Sequence, residues 1–244
     1  TQLLHLRDVS EHMNLQQQMW TFQTLVSHKL RGPLNGLVGL QMLDEQLIDL
    51  SSKRAHTLLR IARESAKRLQ DQILEILRYI DSSQLLQFNN TFNLSGLPAL
   101  LEKIKSDIPV KTMSVSIADS LVEKQLKLSS QGIELILREL FTNSKKFHPQ
   151  QSPAITVLVT SGEAKTIILR FGDDGCCLLE KEISKVWTPY YQIEKYFTGE
   201  VKGMGLGLPM IARLVWSSGG NCRLINRDDQ QGVIVELILP ILER

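Results

Sequence analysis

Leu59, Ala62, Ala66, Leu69, Ile73, Ile76 and Ile80 follow one another at steps of three, four, three, four, three and four residues. An α-helix completes a turn every 3.6 residues, so these side chains fall on one narrow apolar stripe, the spacing of a coiled-coil seam. The spacing predicts a helix from about Lys53 to Asp81. A looser stripe precedes it. Leu15, Met19, Phe22, Val26, Leu30, Leu37 and Leu40 keep mostly three- and four-residue steps and predict a helix from Ser10 to about Gln46. The short polar stretch from Asp49 to Ser52 suits a turn between antiparallel helices. Two such helices cannot bury both stripes alone. A second copy of the hairpin would complete a four-helix bundle, so a homodimer is expected; the alternative is a monomeric hairpin packed on the rest of the chain.

Past Gln84 the texture changes. LLQFNNTFNL reads as a linker leading into a strand, and LPALLEKIKSDI as a helix. VSIADSL and KQLKLS read as strands, and Ser130 to His148 as a long buried helix. AITVLVTS and KTIILRFG alternate like the arms of a hairpin turning at residues 162–164. Residues 178–202 are mixed in character. GLPMIARLVWSSGG then reads as a helix stopped by Gly219 and Gly220, and two final strands follow, NCRLINRD and GVIVELILP. Strands mixed with helices, ending in antiparallel pairs, predict an α/β sandwich.

Composition narrows the function classes. A net charge of +2 without clustered Lys and Arg gives no basis for nucleic-acid binding. Polar residues break every apolar stretch before the roughly 18 residues that a membrane span needs, so no membrane contact is expected of this segment. The opening residues do not read as a signal peptide, and Thr1 reads as starting inside a longer protein. Two of the three cysteines are adjacent, Cys176 and Cys177, which suits neither a disulfide framework nor a zinc site and fits a reducing compartment.

Four segments carry chemistry. In SHKLRGPLNGL, Pro33 cannot donate to the carbonyl of Lys29, so a helix here should kink one turn past His28. Val26 and Leu30 point inward, which turns His28 toward solvent as an available imidazole nucleophile. In ELFTNSKKFH, Glu139, Asn143 and Lys146 share one helical face. An acid, an amide and an ammonium there can hold magnesium and the phosphates it bridges. In GDDGCC, Asp173 ends an apolar strand and can accept from an exocyclic amino group such as that of adenine, while Gly175 permits close backbone approach. In GMGLGLPMIARLV, Gly203, Gly205 and Gly207 alternate just before a helix, exposing N–H groups where phosphate binds. Taken singly, each has a plain reading: an exposed histidine, a solvated helix end, an Asp-Gly turn and a glycine-rich loop.

In this order the four segments resemble the sensor histidine kinases of two-component systems. SHKLRGPL is similar to the family's phosphoacceptor box, ELFTNSKKF to its asparagine box, Asp173 and Gly175 to its first glycine box, and GMGLGL to its second. VWTPYY (186–191) resembles the aromatic-proline stretch beside the mobile ATP lid, and LLHLRDVSEHMNLQQQ the end of a PAS sensor domain running into a signalling helix. The resemblance implies a multidomain α and α+β chain. Residues 1–14 would end the sensor and signalling helix. Residues 15–82 would be a dimeric dimerisation and phosphotransfer hairpin, 83–91 a linker, and 92–243 an α/β sandwich of the gyrase/histidine kinase (GHKL) ATPase type. It further implies ATP and Mg2+ bound between residues 139–147 and 203–208. There Asn143 would ligate the metal and Lys146 contact phosphate. Asp173 would read adenine beside Gly175, and Gly203, Gly205, Gly207 and Leu208 would close over the phosphates. His28 would be phosphorylated in line and would pass the group, in a phosphorelay, to an aspartate on a response-regulator receiver domain. A cytoplasmic location is implied for this part, even if the whole protein is membrane-attached.

Three positions depart from the family pattern. Lys29 replaces the acid that usually follows the histidine and cannot accept a proton while charged. General-base help is worth roughly 10²–10⁴-fold, so slowed phosphorylation of His28 is expected. Gly32 replaces a Thr or Asn that orients water, which predicts weak phosphatase activity. Cys177 stands where a second glycine is usual, either crowding the nucleotide or redirecting the lid. Glu139 sits where many relatives carry Asn. It could activate water, as a glutamate does in the wider superfamily, or assist His28. The competing readings are a nucleotide-binding signalling scaffold with little kinase activity and an ATPase that uses Glu139.

Overall fold

The computed structural model describes Leu30, Leu34 and residues 53–81, 91–192 and 203–242. Leu30 and Leu34 are helical. The rest of the expected first helix, with His28, Lys29 and Gly32, lies outside the described residues, as do the 49–52 turn, the linker up to residue 90 and residues 193–202. The chain divides into two compact units, Thr1–Leu74 and Glu75–Arg244.

The first unit contains most of helix α1, Lys53–Asp81, whose bounds are those the seam predicts. Arg60 and Glu64, one turn apart, pair at 3.1 Å on an exposed face. The seam is unevenly covered: Ala62 is buried, whereas Leu59, Ile73 and Ile80 are each more than 40% exposed. A helix with aliphatic residues left in water has apolar area still to bury.

The second unit is an α/β sandwich, as expected. In chain order it carries β1 (Phe92–Asn93), α2 (Leu97–Asp107), β2 (Thr112–Ile117), β3 (Gln125–Leu126) and α3 (Ser130–Phe147). Then come β4 (Ala154–Ser161), β5 (Thr166–Asp173), α4 (Glu180–Ile183), α5 (Gly207–Ser217), β6 (Asn221–Asn226) and β7 (Val233–Leu242). The strands form one sheet in the order β1-β3-β7-β5-β4-β2, with β6 also paired to β7. All pairs are antiparallel except β2 with β4. Alternate residues turn to one face, and Ile155, Val157, Val159, Ile167, Leu169, Phe171, Val235, Leu237 and Leu239 are buried there. Leu97, Leu101 and Ile104 of α2, Ile133, Ile136, Leu137, Leu140 and Phe141 of α3, and Met210, Ile211, Leu214 and Val215 of α5 complete the same core. Each fully buried aliphatic side chain is worth about 1.5–3 kcal/mol. Phe141 meets Phe171 with ring centroids 5.4 Å apart, tying α3 to β5 near the strand's end.

Two strand expectations shift. The strand read over 115–121 starts earlier, at Thr112, because parallel pairing with β4 begins at Thr112↔Ala154, and it ends before a 3-10 turn at Asp119–Leu121. The strand read over 124–129 shortens to Gln125–Leu126, because Ser129 is used as the N-cap of α3, its side chain accepting from Gly132 N at 3.0 Å. On the sheet's other face Glu236 is 2% exposed and lies in register between Arg170 and Arg223, both of which donate to it. Among the described residues no helix is long and apolar enough to cross a membrane.

Candidate functional site

A cavity of about 280 Å³ opens among α3, the end of β5, the segment after it and the loop leading into α5. Leu140, Phe171, Leu178, Val186 and Val235 give it apolar walls. The helical period of α3 delivers Glu139, Asn143 and Lys146 to it together, as their spacing predicts. Asp173, Gly205, Gly207 and Leu208 also line it. Gly203 borders Lys146 (a Cβ there would lie 2.9 Å from the Nζ), and Gly175 borders Asp173.

Asp173 ends β5 and is 8% exposed. Its Oδ2 accepts from the Ser144 hydroxyl at 2.5 Å and its Oδ1 from Gly175 N at 2.9 Å. A Cβ on Gly175 would lie 3.0 Å from Asp173 Oδ1, so this glycine keeps space beside the carboxylate. The adjacent Asp174 has a structural task. Its Oδ1 accepts from Ala154 N at 2.7 Å and lies 3.4 Å from His148 Nε2, pinning the start of β4. Cys177 also lines the cavity, and its thiol is engaged with the Gly232 backbone, 3.4 Å from the N–H.

The loop before α5 is shaped by backbone that L side chains avoid. Gly203 has φ 109° and Gly205 φ 75°. Gly205 O accepts from Tyr190 N at 2.9 Å, and Gln192 Nε2 donates to Gly203 O at 2.8 Å, so the aromatic-proline segment braces the loop. Gly207 has a different reason: a Cβ there would overlap Glu139 Oε1. Helix α5 starts without a side-chain cap, leaving first-turn N–H groups for a ligand. Met204 N donates to Glu75 Oε2 at 2.5 Å, so one amide of this loop already holds an anionic group. Burial pulls the Lys146 ammonium below the ordinary lysine range, against the opposing charges of Glu75 and Glu139. Burial, then the charge of Glu75, pushes the Glu139 carboxyl up, against Arg78 and Lys146.

The arrangement suits a ligand that is anionic at one end and a planar ring bearing an amino group at the other. Among the described residues no three His, Cys, Asp or Glu side chains gather to cage a metal. The donors present fit a cation held by the Asn143 amide and mostly by ligand oxygens and water, the usual manner of magnesium. Sequence reading missed Ser144 and Gln192. Ser144 stands next to Asn143, but its partner is 29 residues away, and no local spacing signals that pair.

The model of the family described as "Histidine kinase-, DNA gyrase B-, and HSP90-like ATPase" matches residues 129–243. The chain is 25% identical over 97% of its length to the sensor protein VanSC of Enterococcus gallinarum, covering 69% of that protein. It is 26% identical over 90% of its length to the autoinducer 2 sensor kinase/phosphatase LuxQ of Vibrio cholerae, of which it spans only 26%. The solved histidine kinase ThkA, in complex with the response regulator protein TrrA, shares the fold: TM-score 0.62 at 18% identity, over 95% of this chain and 64% of that one. Residues 129–243 therefore belong to the histidine kinase-, DNA gyrase B- and HSP90-like ATPase family, in a chain akin to the sensor histidine kinases.

Proposed function

We propose that the chain is the catalytic core of a dimeric sensor histidine kinase, which transfers the γ-phosphoryl group of ATP to His28 and then to an aspartate of a response-regulator receiver domain. The observation that carries this is convergence: Asn143, Lys146, the glycine loop and the uncapped start of α5 meet in the cavity that also holds Asp173. Asp173 accepts from the amino group of adenine. Lys146 and the N–H groups of Gly203, Gly205, Gly207 and Leu208 bind phosphate oxygens, and Asn143 would hold magnesium. Magnesium held at Asn143 would neutralise phosphate charge. His28 Nε2 attacks the γ-phosphorus in line. The N–P bond forms as the bond to the β,γ-bridging oxygen breaks, and ADP leaves with that electron pair. Positioning and charge neutralisation supply most of the rate.

A response regulator as partner is supported by the ThkA–TrrA complex. A homodimer is supported by the exposed half of the α1 seam. The likeness to sensor histidine kinases also supports a cytoplasmic setting and a place in a phosphorelay. Kinase activity is favoured over a mere scaffold, since VanSC and LuxQ are both sensor proteins and LuxQ is a kinase/phosphatase by name. The raised pKa of Glu139 favours one addition: it is a stronger base than an ordinary surface carboxylate and can take a proton from His28 or from water. The test is incubation of the purified chain with γ-labelled ATP and magnesium. Acid-labile label is expected on the wild type and none on His28→Gln. Label of equal amount on both would overturn the assignment of His28. ATP hydrolysis that persists in His28→Gln and disappears in His28→Gln/Glu139→Gln would assign Glu139 to water.

A further inference from the structure

Asp173 is held from two sides, and the two holders come from different parts of the chain. Gly175 N, two residues on, donates to Oδ1 at 2.9 Å. Ser144 Oγ, from the last turns of α3, donates to Oδ2 at 2.5 Å. Ser144 is 4% exposed and nevertheless lines the cavity, as Asp173 does. A serine hydroxyl has one proton and two lone pairs, and a carboxylate oxygen has two lone pairs and no proton. With its proton spent on Asp173, the Ser144 oxygen offers the cavity only lone pairs. The carboxylate, with one lone pair of each oxygen used, keeps the others. This patch of the wall is therefore an acceptor surface without a donor. Because the Ser144–Asp173 bond crosses from α3 to β5, it also fixes the carboxylate's orientation relative to the helix that carries Asn143 and Lys146.

We propose that Ser144 is a positioning and specificity-determining residue for the base. By donating to Asp173 it sets the carboxylate to receive an exocyclic amino group, and so couples recognition of the base to the helix that handles the phosphates. This rests on the reading of the cavity as an ATP site. A purine bearing an amino group at the six position satisfies the acceptor surface. A purine lacking that group leaves buried acceptors without a partner, which is costly.

The experiment compares ATP with purine riboside triphosphate, which differs by loss of the six-amino group, binding to the full chain with magnesium by titration calorimetry. Wild type is expected to prefer ATP by more than tenfold. In Ser144→Ala the ATP dissociation constant is expected to rise about tenfold, roughly the 1.4 kcal/mol of one weakened hydrogen bond to a charged group. That of purine riboside triphosphate is expected to change less than twofold, so the preference collapses. Ser144→Thr keeps the hydroxyl and is expected to keep the preference. Melting curves of the unliganded variants report folding separately. Equal weakening of both nucleotides in Ser144→Ala would make Ser144 structural and overturn the proposal, as would an unchanged ratio. Failure of either nucleotide to bind wild type would instead overturn the ATP-site reading beneath it.

Discussion

Gly205 and Gly219 both have φ in the left-handed region, 75° and 85°, but their surroundings differ. A Cβ on Gly219, just past α5, would meet nothing within 4 Å. A Cβ on Gly205 would lie 2.5 Å from the carbonyl oxygen of Tyr191 and 3.0 Å from the carbonyl carbon of Tyr190. Both are backbone atoms, which no rotamer change can move aside. Gly219→Ala therefore carries only the conformational penalty, roughly 1–2 kcal/mol. In Gly205→Ala the loop must in addition shift away from residues 190–191 and give up the Tyr190 N–Gly205 O bond, which is worth about 1 kcal/mol. Restoring the ligand-ready loop should then cost about 2–3 kcal/mol at binding, which at 1.4 kcal/mol per decade is a rise of roughly 30- to 150-fold in the ATP dissociation constant. Gly219→Ala should lower the melting temperature by a few degrees, roughly 2–8 °C, and leave ATP affinity within about twofold. Calorimetry and thermal melting on both variants measure the two effects apart. If Gly205→Ala bound ATP as tightly as Gly219→Ala, the loop would not be the phosphate wall, and the reasoning from its glycines would fail.

Three further outcomes are expected. Burial lowers the Lys146 pKa, so ATP affinity should fall as pH rises through a range below the ordinary lysine value of about 10.4, and a fluorescent nucleotide should show no such fall with Lys146→Met. Hydrogen bonds from Arg223 and then Arg170 hold the Glu236 carboxyl below the usual range; its stabilising contribution is complete above the unfolded value of about 4.3 and is lost as pH falls through the lower folded value. Glu236→Gln should therefore flatten the acid limb of the melting-temperature profile, and an unchanged limb would show that the arginines stabilise nothing through that carboxylate. Asp at both Ile73 and Ile76 should turn a light-scattering dimer into a monomer, since each carboxylate would have to leave water at the seam; a wild type already monomeric at micromolar concentration would refute the bundle.

Helices α1, α2, α3 and α5 and the β4–β5 hairpin were legible because each writes its own period into a continuous stretch of chain, whereas the one-turn α4 within residues 178–202 is too short to write one. The seam of Leu59 to Ile80 needs no partner to be read, and it predicts the bounds of α1. The same holds for Glu139, Asn143 and Lys146, which one helix brings to one face whatever packs around it. Pairings between distant segments were not legible. VSIADSL reads as a strand, but neither its start at Thr112 nor its parallel pairing with β4, about forty residues on, can be read from it. The sequence singles out Asp173 at its strand end but says nothing of its neighbour, and only the fold assigns Asp174 to the anchoring of β4. Glu236 within VIVELIL reads as an outward residue of a strand. It does face outward, yet the Arg170 and Arg223 side chains, in register on either side, leave it almost no exposure.

The glycine loop joins what the sequence keeps apart. Alternate glycines before a helix suggest one common purpose, the exposure of backbone N–H groups. The fold divides them: Gly203 and Gly205 are required by their positive φ, whereas Gly207, inside the first turn of α5, is required because the Glu139 carboxyl occupies the space where its Cβ would be. The asparagine-box helix and the glycine loop thus interlock through a missing side chain. Glu139 reaches the cavity because position 207 has none, and the start of α5 packs close to α3 for the same reason. Two motifs separated by some sixty residues are therefore one physical unit. A substitution in either would be felt in the other, and a glycine count alone would assign its effect to phosphate binding when part of it belongs to the buried carboxylate.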